Sequence, residues 1–254
     1  MRIQALVFTL ITLLMVGCNN RPPKEYVDEV LLPITPVKDQ GKSELCWAYA
    51  MLATIETEHL LRGDSVNLSA VYVGRMLKRD NQRAMCQTLL NIIQREGIVG
   101  YDVLPDDATS DLKTPKWVFM LGARYTPLEF AHSVCAPDEY VSLTCWPDSP
   151  YYNKVEVPVP DNWEHNRLLN IPLDTLQTHV DRALRHRHPV CWESKGHAMA
   201  IIGMAHDKQQ RPYYILKNSW GTDQPHGGLV YMPAQKLWRD MIALYMTKEA
   251  YGLP

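Results

Sequence analysis

Residues 36–50 read Pro36-Val37-Lys38-Asp39-Gln40-Gly41-Lys42-Ser43-Glu44-Leu45-Cys46-Trp47-Ala48-Tyr49-Ala50. Gly41 to Glu44 form a turn that opens a helix. Ser43 is placed to cap it, and Trp47, Ala50, Met51 and Ile55 recur at helical spacing on one side. Gly63 ends the element. Cys46 therefore falls in a first helical turn, where unpaired N–H groups and the positive end of the dipole favour a thiolate. Gln40 lies six residues earlier, across the glycine turn, and its amide could fold back beside the sulfur. Taken alone, such a cysteine is more often a buried and inert core residue.

Two later stretches change that balance. Gly196-His197-Ala198-Met199-Ala200-Ile201-Ile202-Gly203 places a histidine at the start of an apolar strand. Tyr214-Ile215-Leu216-Lys217-Asn218-Ser219-Trp220-Gly221 places an asparagine at the end of the next one. An Asn carbonyl can accept the N–H of one imidazole nitrogen and leave the other facing a sulfur. Trp220 could shield that bond from water. A lone histidine here would more often be structural. Cysteine, histidine and asparagine in this order call for chemistry.

Outward from these stretches the chain divides in two. Helices are expected over 44–62, around 69–78, over 86–96 ahead of Gly97, and over 173–185. Residues 99–170, rich in Pro, Asp and Tyr, read as loops. Strands are expected at 190–192, 197–205, 213–217 and 229–232, with a hairpin connection at 207–212. Helices first and antiparallel strands second mark an α+β fold, with a cleft between the halves as the natural place for a site.

Together the three stretches resemble the papain-like cysteine peptidases. The text that carries the likeness is Val-Lys-Asp-Gln-Gly before Cys-Trp-Ala, then Gly-His-Ala, then Leu-Lys-Asn-Ser-Trp-Gly. His197 follows Cys46 by 151 residues (197 minus 46), at the upper end of the ~130–150 expected. The resemblance implies a two-lobed fold, with the cysteine helix in one lobe and the histidine and asparagine in a β-sheet or barrel lobe. It implies Cys46 as nucleophile, His197 as acid and base, Asn218 as the group orienting the imidazole, and Gln40 with the Cys46 N–H as oxyanion hole. Trp220 is the supporting residue.

The middle of the chain looks like the bleomycin hydrolase and aminopeptidase C branch. The matching text is Thr126-Pro127-Leu128-Glu129-Phe130, Asp138-Glu139-Tyr140-Val141-Ser142-Leu143-Thr144, Pro150-Tyr151-Tyr152-Asn153-Lys154 and Asn170-Ile171-Pro172-Leu173-Asp174. That likeness implies a peptide or protein substrate trimmed from its N-terminus, and a C-terminal arm, here 247–254, able to lie in the cleft. The chain is shorter than members of that branch, so a monomer is expected. Ser43 stands where secreted relatives carry a further cysteine, and their Cys-Asn-Gly-Gly segment is replaced by Asn81-Gln82-Arg83-Ala84-Met85-Cys86. Substrate preference therefore does not carry over. An endopeptidase, a transferase using the same thiol, and a non-catalytic peptide-binding relative remain open.

The first residues read as an address. Ala5 to Val16 are apolar apart from two threonines, too short to span a bilayer and suited to a secretory segment. Gly17-Cys18 then resembles a bacterial lipoprotein signal. The expected layout is a signal peptide at 1–17, a linker at 18–35 and a peptidase domain at 36–254, lipid-anchored to a membrane of the cell envelope through Cys18. No room is left between Cys18 and Pro36 for an inhibitory propeptide, so a conventional zymogen is not expected. Among 254 residues, 26 are Lys or Arg and 28 are Asp or Glu. That near-balance gives no field for a polyanion, so no nucleic-acid partner is expected. No cofactor is expected, and no metal, because Cys191 and His197 lack a second pair at ligand spacing. Cys135 and Cys145 could be bonded or free with equal ease.

Overall fold

In a computed structural model of the protein, residues 25–77, 82–109, 111–120 and 122–252 are described. Positions 1–24, with the signal segment and Cys18, lie outside them.

The chain enters as strand β1 (Tyr26–Leu31), then forms helices α1 (Cys46–Leu61), α2 (Ala70–Met76) and α3 (Cys86–Glu96). A small hairpin, β2 (Val118–Met120) with β3 (Ala123–Tyr125), leads into α4 (Pro127–Val134). Strands β4 (Tyr140–Thr144), β5 (Lys154–Glu156) and β6 (Arg167–Asn170) precede α5 (Leu173–Arg185). The last third runs β7 (Val190–Ser194), β8 (His197–Asp207), β9 (Pro212–Lys217), β10 (Leu229–Pro233), α6 (Ala234–Asp240), β11 (Met241–Thr247) and α7 (Lys248–Tyr251).

One sheet takes most strands in the order β10-β9-β8-β7-β11-β4-β6-β5. Only β4 and β6 run parallel within it; the other pairs are antiparallel. The sheet is open, so the barrel alternative does not hold. β8 is long enough to hold two partners on one edge: β7 pairs with residues 197–201 and β1 with residues 203–207. Gly203 sits at that changeover. A Cβ there would stand 2.3 Å from the Val30 carbonyl oxygen, so only glycine lets β1 close on the strand.

The core forms two clusters. One gathers α1, α2 and α3 with Leu104, Phe130 and Val134. The other lies between α5 and the sheet, around Leu176, Val180, Leu184, Ile201 and Leu216. α1 is wedged between the halves and is buried from Cys46 to His59 on every side. That explains why its sequence shows no single apolar stripe beyond the four expected residues. Glu56 and Glu58 are buried with it.

Several expectations need correction. Ser43 does not cap α1: Leu45 holds the cap position without a side-chain bond, and the Ser43 hydroxyl donates to the Gln40 carbonyl at 2.8 Å. The lead-in before residue 36 contains β1, whose Tyr26, Asp28 and Val30 alternate inward. Residues 99–170 are mostly loop as expected, but they also supply α4 and five short strands, β2 to β6. α4 carries a full capping box, Thr126 with Glu129. Residues 247–252 of the expected C-terminal arm continue the sheet and pack near α5 rather than cross a cleft, and positions 253 and 254 lie outside the described residues. Thr247 ends β11, and Tyr251 stacks on His179 of α5 with ring centroids 4.4 Å apart. Cys135 and Cys145 are both free. No helix among the described residues is long and apolar enough to cross a membrane.

Candidate active site

Cys46 is the first residue of α1, at the helix's positive end, and is 2% exposed. Burial pushes its thiol up from the ordinary range. Three groups work against that: the Arg83 guanidinium, and the backbone N–H groups of Ala198 and Trp47, which point at the sulfur. Ala198 directly follows His197, so the sulfur lies against the start of β8. Helix end and strand start meet here because α1 packs across β8 and β7.

His197 opens β8 and Asn218 follows β9. β8 and β9 pair antiparallel, with Ala200 opposite Lys217, which brings the two strand ends together. His197 Nε2 is 2.9 Å from Asn218 Oδ1. Asn218 Oδ1 also accepts the Ser219 N–H at 2.8 Å, so it is fixed as an acceptor. The Nε2 nitrogen therefore carries the proton in that contact, and Nδ1 is left for the sulfur. Trp220 stacks on the imidazole, with ring centroids 4.9 Å apart and planes 28° from parallel. Burial holds the imidazole below its usual range, the Asn218 bond opposes that, and Arg83 adds to it.

The loop carrying Gln40 is tied to the same place. Asp39 bridges Trp220, the Gln40 N–H donates to the Ser219 carbonyl at 2.8 Å, and Gly221 N–H donates to the Lys38 carbonyl at 3.0 Å. The Gln40 side chain is held at both ends. Its Oε1 accepts the Ser219 hydroxyl at 2.6 Å and its Nε2 donates to the Ser43 carbonyl at 2.7 Å. The Ser43 carbonyl takes one of the two amide hydrogens and leaves the other for a developing oxyanion.

Three features escaped the sequence reading. Arg83 crosses from the segment before α3 to the β7–β8 turn. Its Nη1 donates to the Gly196 carbonyl, its Nε to Asp161 Oδ2 at 3.2 Å, and Nη1 lies 4.0 Å from Glu44 Oε2. It thus touches the neighbours of both His197 and Cys46. Glu193 is fully enclosed behind the site, accepting from the Tyr245 hydroxyl at 2.7 Å and the Cys86 N–H at 3.2 Å. Burial lifts its carboxyl to about 7. Behind Asn218, Lys38 and Lys217 converge on Glu56, at 2.5 and 3.9 Å. Thr35 links Lys217 to the same carboxylate, and burial pushes the Lys217 amine down to about 8. A lysine inside the apolar run before Asn218 was the one available signal for this network. Cys191, weighed earlier as half of a metal pair with His197, faces Cys86 instead, with sulfurs 3.5 Å apart.

Comparison with known proteins agrees with this geometry. Residues 175–246 match the model of the Papain family cysteine protease. Ananain from Ananas comosus is 25% identical over 205 residues, covering 78% of this chain and 52% of its own. Procathepsin L from Felis catus is 26% identical over 215 residues, covering 78% and 57%. The chain thus spans about half the length of the curated relatives it matches. Among solved structures, PepW from Lactobacillus rhamnosis superposes with a TM-score of 0.70 at 16% identity, over 90% of this chain and 83% of that one. Bromelain from Ananas comosus, solved with the E64 inhibitor, gives 0.52 at 16%, over 88% and 99%. Fold and site together define the class by its architecture: a papain-like fold whose candidate site brings together Cys46, His197 and Asn218.

Proposed function

We propose that this protein is a thiol-dependent peptidase that cleaves peptide bonds through Cys46, His197 and Asn218. The observation that carries the reading is the 2.9 Å bond from His197 to Asn218 beneath the Trp220 ring, at the point where Cys46 opens its helix. The Cys46 thiolate attacks the substrate carbonyl carbon, and the π pair moves to oxygen. The Cys46 N–H and the free Gln40 amide hydrogen receive that charge. On collapse the C–N bond breaks, and His197 Nδ1 hands its proton to the departing amine. A thioester remains. Water, deprotonated by the same Nδ1, then releases the acid and restores the thiol. The expected result is peptide hydrolysis that is abolished in Cys46→Ala. Undiminished hydrolysis in that variant removes the assignment, and binding without turnover in the unaltered protein favours the non-catalytic reading.

Within that activity we favour aminopeptidase or small-peptide hydrolysis over open-cleft endoproteolysis. Two things support it: the likeness of the middle segments to the bleomycin hydrolase and aminopeptidase C branch, and the Arg83 side chain lying across the cleft beside Cys46. Free peptides should be cleaved and N-acetylated ones spared. The reverse pattern favours an endopeptidase. The same reading places the protein at the cell envelope, held by lipid on Cys18. A palmitate analogue should label the full chain and spare Cys18→Ala; equal labelling counts against the anchor.

A further inference from the structure

Cys86 and Cys191 take no part in the proposed reaction, and both are fully buried. Cys86 is the first residue of α3. Cys191 lies in β7, opposite Ala200 of β8 and Tyr245 of β11, in the middle of the sheet. They are 105 residues apart in the chain (191 minus 86), yet their sulfurs are in contact at 3.5 Å.

The backbones that carry the two sulfurs are pinned to each other. The Cys86 N–H donates at 3.2 Å to Glu193 Oε2, two residues beyond Cys191 on the same strand, and the Tyr245 hydroxyl holds that carboxyl at 2.7 Å. The chain ahead of α3 is fixed as well. The Met85 N–H donates to the Asp161 carbonyl at 3.1 Å, and the Trp163 indole N–H to the Arg83 carbonyl at 3.0 Å. Bonded sulfurs stand ~2.0 Å apart, so each would move by less than about 1 Å. Burial first, then the Cys191 thiol and the Glu193 carboxyl, push the Cys86 thiol well up, which leaves it a poor nucleophile once the protein is folded.

We infer that Cys86 and Cys191 are joined by a disulfide made while the chain folds, which fastens the start of α3 to β7 behind the active site. The oxidant is another disulfide, that of a protein or of glutathione. Before burial the Cys86 thiol gives up its proton, and the thiolate attacks one sulfur of the oxidant, breaking its S–S bond and expelling one thiolate. Cys191 then loses its proton, attacks the Cys86 sulfur of the mixed disulfide and expels the second. Two electrons pass from the pair to the oxidant, and the two expelled thiolates take up the two protons. The cell-envelope location proposed above is a compartment that holds such an oxidant. Once the fold closes, a reducing thiolate reaches neither sulfur, so the bond is structural and lasting. It also fixes the position of Arg83, three residues ahead of Cys86, which donates to the Gly196 carbonyl in the β7–β8 turn.

The test starts from the full chain, unfolded and reduced, then refolded in a glutathione buffer rich in the oxidised form. Free thiols are blocked with N-ethylmaleimide in denaturant, and the protein is digested without reductant and mapped by mass spectrometry. The expected result is one linked pair, Cys86 with Cys191, and maleimide on Cys46, Cys135 and Cys145. Dithiothreitol should leave the link intact in the folded protein and cut it in guanidinium. Protein refolded under reductant throughout should melt roughly 5–15 °C lower, from the usual worth of a long closed loop in a chain of this size. A double variant, Cys86→Ser with Cys191→Ser, should melt at one temperature in both buffers. Should that variant fail to fold, the map and the two midpoints of the unaltered chain decide. Maleimide on both Cys86 and Cys191 after oxidative refolding, equal midpoints in the two buffers, or a difference that persists in the double variant overturns the inference. Neither readout uses peptide hydrolysis, so such a result leaves the peptidase reading standing.

Discussion

Gln40 is held by Ser219 and Ser43 with one amide hydrogen to spare, which makes it an oxyanion donor on a rigid mount. Gln40→Ala should lower kcat by ~10²–10³. Ser219→Ala leaves the amide in place and removes only its anchor, so its loss should be much smaller. Steady-state kinetics on one peptide compares the two, and equal losses would mean that Gln40 acts through loop position alone. Arg83 acts by charge. It lowers the Cys46 thiol by favouring the thiolate, and it lowers His197 by opposing the imidazolium. Removing it raises both. In Arg83→Ala the pH midpoint of Cys46 alkylation by iodoacetamide should therefore move to alkaline pH, with Arg83→Lys lying between. An unmoved midpoint would confine Arg83 to bridging the cleft. None of this was legible in the chain, because Arg83 meets Gly196, Asp161 and Glu44 only after folding. The four residues of the candidate site were legible because the identity of each neighbour, Gly41, Trp47, Gly196 and Trp220, is itself part of the local pattern.

At the scale of elements, α3 and α5 were readable to the residue. Each has one apolar face against a core and a clear stop, Gly97 in one case and the basic run after Arg185 in the other. β1 was not, because six residues with alternating exposure and no flanking turn signal look like a polar leader until β8 offers an edge. β11 was missed for a related reason. It is nearly continuous apolar text without a period, and it becomes a strand by entering the sheet between β7 and β4. The β1 edge gives a sharp prediction. Gly203→Ala sets a methyl group against the Val30 carbonyl, so the strands must part or shift. The cost should be about 1–3 kcal/mol in denaturant unfolding, with exchange protection lost first in residues 26–31. Wild-type stability in that variant would show that β1 contributes little.

Over the whole molecule, the two halves are joined around α1. Glu58 of that helix, nearly enclosed, meets His188 in the connection from α5 to β7, with Nδ1 at 3.1 and 3.2 Å from its two oxygens. The Glu58 bond raises the His188 imidazole above its ordinary range. A base whose folded value is raised adds stability that is complete below the unfolded value of ~6.5 and is lost as pH climbs through the folded value. The gap in unfolding midpoint between wild type and His188→Gln should be wider at pH 5.5 than at pH 8.5. A gap independent of pH would reduce the pair to packing. The central claim, that one sulfur among several is set apart by the imidazole beside it, is tested most directly by a thiol-directed epoxide followed by peptide mapping. The account predicts a single adduct, on Cys46, lost in Cys46→Ala and slowed at least tenfold in His197→Ala. An adduct on another cysteine, or labelling of Cys46 at the same rate without His197, would contradict it.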